Sequence, residues 1–397
     1  MTKVDDLLAA SVSSGQVSGL AAMSVARGRA TYSGAFGTRS SVNSSLMTAD
    51  TVFEGSALLR PVMAVAALQL VDAELLALDE PLRTVLPELA APSVLIGFEP
   101  SGEPLLRAAR GEITLRRLLN HTAGFNVGSW WDGALVYDDL WSLPYRAGSV
   151  SLLADPGTRW LHCADTDLIA MAIERISGLA LDEYLKSGIF RELGMFDTGF
   201  DVPPRARART AGGWSEPDDA EGLLSFYTTP KDFFEFLEAM LWRDESLLSP
   251  RSFDLVRGDQ IGGLSVPRRL ELSTARTPGD INFYPEIRLY PDIGRTWSLG
   301  FMVNLDAVPD GPRAGTQSCA GNANTFCWID PVAEVAGLLF LRPGQPGAPG
   351  EQPGESFFGE FQRAVYADRE TAGRPRRDAP EHPGEWPSAS PSVWWPL

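Results

Sequence analysis

The chain has 397 residues, of which 44% are hydrophobic, so it is long enough to bury one large core or two smaller ones. Its 51 acidic residues outnumber its 34 lysines and arginines and give a formal net charge of −17, which disfavours contact with a phosphate backbone or an anionic membrane surface. We therefore expect neither a nucleic-acid partner nor a membrane partner.

The N-terminus and the scarce cysteines favour a cytoplasmic protein. Asp5 and Asp6 stand where a signal peptide would carry its apolar stretch, and no later run approaches the ~18 apolar residues of a membrane helix. Three cysteines, far apart in sequence, suit a reducing compartment better than a disulfide scaffold. The chain has only three histidines, so a His-rich metal centre is implausible, and we expect no metal and no cofactor.

The first predicted elements indicate an α/β start. Residues 3–14 have helical spacing, and residues 19–33 alternate enough, with a turn in the middle, to predict a hairpin. Residues 61–71 are apolar almost all round, which predicts a buried helix, and Asp79-Glu80-Pro81 supplies its stop.

The middle of the chain is predicted to be helical, and strands return towards its C-terminal end. Helical spacing recurs in four segments separated by polar loops, at residues 115–119, 165–176, 181–193 and 231–241. Strand patterns follow at residues 299–305, 325–329 and 335–341, and a helix at 356–366 closes the folded part. Strands at both ends of a helical middle predict an α/β layer made by the two termini, with an all-α insertion beside it.

We expect a single folded domain over residues 1–368. Its α/β part is predicted at about 1–60 and 256–368, and its helical part at about 61–255. From Arg369 onwards the chain is rich in proline and arginine, so residues 369–397 are expected to form an extended tail.

Several motifs occur in a recognisable order along the chain. The run Thr51-Val52-Phe53-Glu54-Gly55-Ser56-Ala57-Leu58-Leu59-Arg60-Pro61 leads without a gap into the predicted buried helix, and Leu118-Leu119-Asn120-His121-Thr122-Ala123-Gly124-Phe125 follows. Further landmarks are Pro156-Gly157-Thr158-Arg159-Trp160, Leu193-Gly194-Met195 and Trp328-Ile329-Asp330-Pro331. Over roughly residues 1–367 this ordered set resembles the serine β-lactamase and penicillin-binding-protein superfamily, with the class C β-lactamases and the family VIII esterases as the nearest branches. The resemblance implies a β-lactamase/transpeptidase-like fold, in which an antiparallel sheet flanked by helices adjoins an all-α subdomain.

The same resemblance places the nucleophile position of the family at Ala57 and its lysine position at Arg60. In the family the nucleophile opens a helix as Ser-x-x-Lys, a spacing that puts the lysine one turn away to take the hydroxyl proton. Counting from Phe53, with Pro61 holding the register, puts Ser56 one place early and about 100° around the helix. Arginine stays protonated near neutral pH and therefore cannot act as the base, but it can bind a carboxylate or an enolate.

Histidine stands where the second motif of the family carries its tyrosine. That motif, Tyr-Ser-x or Tyr-x-Asn, falls just after residues 156–160, and His162 occupies the tyrosine position. An imidazole with an ordinary pKa of about 6.5 performs the same proton transfer. The neighbouring Cys163 is expected to be a core or wall residue rather than a thiol nucleophile, and His121 is expected to hold a loop outside catalysis.

The third motif, on a strand at the edge of the site, becomes Cys319-Ala320-Gly321 when counted back from Asp330-Pro331. Its usual charged or aromatic member is absent from this sequence. Backbone N–H groups do not depend on side chains, so the resemblance implies a surviving oxyanion hole made by the amides of Ala57 and of a residue near Asn322.

Aromatic residues crowd the loop after Gly124, where the family builds one wall of its pocket, and they suit an apolar or aromatic ligand. These aromatics are Trp130, Trp131, Tyr137, Trp141 and Tyr145, with Tyr284 and Tyr290 expected on the opposite wall. The candidate substrate-binding residues are Glu54, Trp130, Trp131, Tyr137, Tyr290, Cys319, Gly321 and Asn322.

The sequence thus predicts a monomeric or homodimeric β-lactamase-like enzyme that lacks the Ser/Lys pair and no longer forms a serine acyl-enzyme. We expect proton-transfer, lyase, cyclisation or isomerisation chemistry on a small carbonyl-containing metabolite, with Arg60 holding an anionic oxygen and His162 moving a proton. Two alternatives stay open: a non-catalytic ligand-binding or scaffold protein, and an esterase or amidase that uses Ser56. The fold does not rank them, because one scaffold hosts many chemistries.

Overall fold

The computed structural model describes residues 2–26, 28–40, 44–99, 101, 104–125, 130–131, 134–135, 151–162, 166–213, 225–266, 290, 292–320, 324–343 and 354–371. The helices are α1 (Lys3–Ser13), α2 (Leu59–Asp72), α3 (Leu115–Leu119), α4 (Thr166–Ser177), α5 (Leu181–Leu185), α6 (Pro230–Trp242), α7 (Pro250–Arg257) and α8 (Gly354–Thr371). The strands are β1 (Val17–Ala26), β2 (Arg29–Gly37), β3 (Phe53–Glu54), β4 (Ser93–Phe98), β5 (Pro104–Ala108), β6 (Trp130–Trp131), β7 (Ala134–Leu135), β8 (Ser151–Leu152), β9 (Tyr227–Thr228), β10 (Arg295–Trp297), β11 (Met302–Asn304), β12 (Gln317–Ala320), β13 (Thr325–Asp330) and β14 (Val335–Pro343).

The main sheet joins the two ends of the chain. Its seven strands are ordered β10-β11-β12-β13-β14-β1-β2, and every neighbouring pair is antiparallel. The N-terminal strand β1 lies inside the sheet, where Leu20 is opposite Leu341 of β14. This confirms the predicted antiparallel sheet and the hairpin at its N-terminal end.

Helices cover the sheet on both faces, so its inner strands are buried on both sides. Helix α6 packs on β1, β13 and β14, whereas α1 and α8 pack on each other and on the opposite face. Alternate residues of β14 therefore enter different cores: Phe340 packs with Phe233 of α6, and Leu339 belongs to the cluster that contains Phe358 of α8. Because both faces are covered, apolar residues run continuously along β14.

Helix α2 is the buried helix that the apolar run predicts. Ten of its fourteen residues are buried, and α4 and α7 pack against it. A buried apolar side chain gains roughly 1.5–3 kcal/mol of transfer free energy, so this helix is held by its surroundings rather than by its own caps. It ends at Asp72, and its carboxylate accepts hydrogen bonds from the backbone N–H and hydroxyl of Ser249, which leads into α7.

The helical part is not all-α, contrary to the prediction. Strands β4 and β5 pair antiparallel, and β8 joins β4 to make a three-stranded sheet. Short apolar runs such as Val94-Leu95-Ile96 fit a strand and a buried helix equally well, so the spacing could not decide between them. At the C-terminal end α8 continues to Thr371, into the segment expected to be tail, and residues 372–397 lie outside the described chain.

No helix in the described ranges is long and apolar enough to cross a membrane.

Candidate active site

A short 3₁₀ turn carries the chain from the sheet side of the molecule into α2. The turn covers Ser56–Leu58, and α2 begins at Leu59. Ahead of it, β3 pairs with β9, and the Gly55 N–H donates to the carbonyl of Phe226 at 2.7 Å. The ring of Phe53 packs edge-on against Phe340 of the main sheet, with centroids 5.4 Å apart. These contacts hold the predicted nucleophile segment between the sheet and the helical part.

Arg60 and His162 meet at the start of α2. Nη1 of Arg60 lies 2.9 Å from Nε2 of His162. A guanidinium only donates hydrogen bonds, so Nε2 accepts and the proton of the neutral imidazole is assigned to Nδ1. The two residues that the sequence singled out, 102 positions apart, are therefore direct partners.

Two histidines share this site in neutral form. The rings of His121 and His162 have centroids 4.9 Å apart. Burial, together with the positive charge of Arg60, lowers the pKa of each imidazole well below its usual range, and His121 adds to the effect on His162. Both rings are therefore uncharged at neutral pH.

Two tryptophans complete an aromatic cluster around these histidines. The Trp297 ring lies 5.0 Å from His121 and 5.1 Å from Trp160, centroid to centroid. His162 is 5.8 Å from each of the two indoles. Sequence reasoning missed three members of this cluster: it placed His121 outside the site, used Trp160 only as a landmark and did not consider Trp297. The position of Trp160 two residues before His162 was the one available signal.

A pocket opens beside Arg60 and His121. Its cavity volume is about 20 Å³, and it is lined by Arg60, Leu118, Leu119, His121, Thr166, Ile169 and Gly300. Gly300 has φ +99°, and a Cβ there would lie 2.7 Å from the Cβ of Ala64. The loop can approach α2 this closely only because residue 300 is glycine.

Cys319 connects the third predicted motif to the nucleophile segment. Its thiol donates to the carbonyl oxygen of Ala57 at 3.0 Å. On the neighbouring strand Cys327 stands directly opposite, and both cysteines are buried and free. A hydrogen bond from Cys327 and, to a smaller degree, the charge of Arg60 lower the pKa of the Cys319 thiol, whereas burial raises the pKa of Cys327. Positions 57 and 319 are thus in contact, as the motif order implies.

Glu54 and Tyr290 are two further residues that were predicted to bind the substrate. Glu54 is exposed on β3. Tyr290, expected on a pocket wall, is instead a packing residue of α8: its hydroxyl donates to the Gly359 carbonyl and contacts Oε1 of Gln362, each at 3.0 Å. The hydroxyl finds its acceptors on that helix, and Tyr290 is not among the residues that line the pocket beside Arg60.

Several predictions fall on parts of the chain that the structure does not describe. The backbones of Trp130 and Trp131 form β6, and the backbone of Ser56 opens the 3₁₀ turn, but their side chains are outside the description. Also outside the described residues are Tyr137, Trp141, Tyr145, Cys163, Tyr284, Gly321 and Asn322. Among the residues that are described, no group of three or more His, Cys, Asp or Glu side chains is arranged to hold a metal ion.

Comparison with known proteins shows which family and which enzymes this chain is similar to. The family model described as Beta-lactamase matches residues 4–352. Monacolin J acid methylbutanoyltransferase of Aspergillus terreus is 28% identical over 310 residues, which cover 70% of this chain and 73% of the relative. Lovastatin esterase of Penicillium rubens is 24% identical over 382 residues, covering 86% and 93%. Unliganded simvastatin synthase (LovD) of Aspergillus terreus superposes with a TM-score of 0.74 at 25% identity, covering 93% of this chain and 98% of that one.

These relatives correct the predicted chemistry. They are acyltransferases and an esterase, and acyl transfer proceeds by acyl-enzyme chemistry rather than by lyase or isomerase chemistry. The prediction of a site turned to elimination, cyclisation or isomerisation is therefore wrong. Arginine and histidine at two positions that were only predicted to be catalytic are an insufficient basis for a new reaction class. The family model spans most of the chain and the fold agrees with it, so the chain belongs to the beta-lactamase family and is an enzyme of the serine hydrolase-like superfamily.

Proposed function

We propose that this enzyme transfers an acyl group from an ester or thioester donor to the hydroxyl of a small molecule, or to water, through a covalent acyl-enzyme. The observation that carries the proposal is the 2.9 Å contact between Arg60 and His162 at the N-terminal end of α2, next to the nucleophile segment of this family. The acyltransferase and esterase relatives support the same reaction class.

Ser56 is the proposed acyl carrier. It is the only hydroxyl residue between Phe53 and Pro61 in the sequence. In the first step the Ser56 oxygen would attack the donor carbonyl, its proton would pass to a base, and the donor's thiol or alcohol would leave with a proton. In the second step the acceptor hydroxyl would attack the acyl-serine ester and release Ser56 with its proton restored.

His162 is the proposed base for these proton transfers. Its low pKa keeps the imidazole neutral, which a base requires, and its Nε2 lone pair would become available to Ser56 once the hydrogen bond from Arg60 is released. The cationic guanidinium can stabilise the negative charge that develops on the carbonyl oxygen as the tetrahedral intermediate forms. Leu118, Leu119 and Ile169 line the pocket beside Arg60, which favours a hydrophobic acyl chain.

The experiment is a search for the acyl-enzyme. The protein is incubated with the thioester of butyrate and N-acetylcysteamine, quenched in acid, and mapped by peptide mass spectrometry, and turnover is followed with p-nitrophenyl butyrate. We expect one butyryl group on Ser56, with label and turnover lost in Ser56→Ala and kept in the exposed control Ser101→Ala.

The labelled residue tests the role of Ser56, and the presence or absence of acyl transfer tests the proposed function. A label on Cys319 would remove Ser56 from its role and leave acyl transfer in place. Folded protein that neither hydrolyses nor transfers acyl groups from either class of donor would overturn the proposed function.

We further propose that the enzyme acts in the cytoplasm as a monomer or homodimer, without a nucleic-acid partner. The net charge of −17 supports the last point. Light scattering after size-exclusion chromatography distinguishes these two assemblies from larger ones, which would contradict the proposal.

A further inference from the structure

Arg60 is a cation without a carboxylate partner in the described part of the chain. The ion pairs found there involve other arginines and one lysine, and the hydrogen bond that Arg60 makes goes to a neutral imidazole. An arginine that is partly buried is normally paired, because removing its charge from water costs free energy. The described residues therefore supply no anionic partner for Arg60.

The position of Arg60 in α2 makes the local charge more positive. It is the second residue of a fourteen-residue helix whose first turn holds no acidic residue and whose N-cap makes no side-chain hydrogen bond. The N-terminal end of a helix carries a partial positive charge, and a cation there is unfavourable by roughly 0.3–1 kcal/mol at an exposed site. Guanidinium and helix end thus repel each other until an anion arrives.

The titratable groups that face Arg60 do not neutralise it. His121 and His162 are neutral because their pKa values are lowered, and Cys319 donates its thiol proton to the Ala57 carbonyl. The pocket beside Arg60 is lined by Leu118, Leu119 and Ile169 together with Thr166, and apolar surroundings strengthen the attraction of a guanidinium for an anion.

We propose that Arg60 is the receptor for a carboxylate on the substrate, so that the enzyme acts on acids rather than on neutral molecules. This inference rests on the proposed function, since it names the substrate class of that site. A guanidinium offers five donors in a planar fork, and one contact to His162 leaves donors for a bidentate carboxylate. The apolar residues Leu118, Leu119 and Ile169 on the same pocket suit a carboxylate attached to an apolar body.

The test measures binding without turnover. Sodium benzoate and its neutral isostere benzamide are titrated into the protein, with affinity from calorimetry and the site from the imidazole resonances of its three histidines. We expect benzoate to bind at least tenfold more tightly than benzamide and to shift the His162 resonance. Arg60→Gln should remove the preference, and Arg60→Lys should keep part of it.

A control variant distinguishes binding at Arg60 from a general effect of removing one positive charge from the protein. Arg83→Gln removes an exposed arginine paired with Glu112 and should leave the preference unchanged, and thermal melts establish that each variant is folded. Equal binding of the two probes, or a preference that survives Arg60→Gln, would overturn the carboxylate site even if acyl transfer is observed. A preference that depends on Arg60 in a protein without acyl transfer would support the site and refute the proposed reaction.

Discussion

Replacing Arg60 by glutamine should raise the pKa of His162. The guanidinium contacts the imidazole at 2.9 Å, and its positive charge is one of the causes that lower this pKa. Removing the charge relieves the protonated imidazolium of a repulsion, so the pKa moves up. Burial remains the larger cause, so the value in the variant should still lie below the ordinary 6.5.

The size of the shift follows from Coulomb's law. Two unit charges about 4 Å apart interact by about 1 kcal/mol in water and about 4 kcal/mol at an effective dielectric constant of 20. One pKa unit corresponds to about 1.4 kcal/mol, so the rise should be between about 0.7 and 3 units. Both side chains are only partly buried, which favours the lower half of that interval.

Proton NMR titration of the imidazole C2 protons measures this shift directly. The chain has three histidines, and a His162→Gln spectrum assigns the relevant resonance. Arg60→Lys, which keeps the charge, should shift the pKa by less than Arg60→Gln. If the His162 pKa in Arg60→Gln equals that of the wild type, the guanidinium does not act on the imidazole and the reasoning about this pair is refuted.

Two further predictions concern stability. Gly337→Ala should destabilise the fold by about 2–4 kcal/mol in urea denaturation, because a Cβ at residue 337 would lie 2.3 Å from the fully buried ring of Trp328. The control is Gly359→Ala, whose Cβ would make only ordinary van der Waals contacts. A similar loss of stability in both variants would contradict the packing argument. Asp167→Asn should stabilise the protein by about 1–2 kcal/mol at pH 7.5 and much less at pH 4.5. Burial raises the pKa of Asp167 to about 6, so the stability that its protonated form contributes at low pH is lost as the pH rises through 6, and melting temperatures that show no such pH dependence would disprove it.

The sequence predicted the parts of the fold that have a long periodic pattern. Helix α6 has such a pattern over thirteen residues, whereas helix α2 was predicted from its continuous apolar run. The hairpin β4–β5 was missed because each of its strands is short and its outer side chains, such as Ile96, are exposed. A short apolar run carries too few residues to separate a period of 2 from one of 3.6.

The site was predicted where motif order carries information along the chain, and not where it depends on tertiary contact. The pairing of Arg60 with His162, and of Ala57 with Cys319, follows from landmarks in a known order. Trp297 reaches His121 across 176 positions of sequence, and nothing local marks it. The contact of Tyr290 with α8 was not foreseen for the same reason, since an aromatic residue in a loop has no sequence signal that separates a pocket wall from a helix contact.

The position of β1 inside the main sheet has a consequence for the order of folding. Leu20 pairs with Leu341, so more than 300 residues must be synthesised before β1 and β14 can pair. Closing so long a loop costs conformational entropy before any contact offsets it, and pairing of this kind is slow. During synthesis, α2 and the helices around it emerge long before β14 does. Until the last strand arrives, the hairpin of β1 and β2 has an open edge, and its apolar face is uncovered by its C-terminal partners.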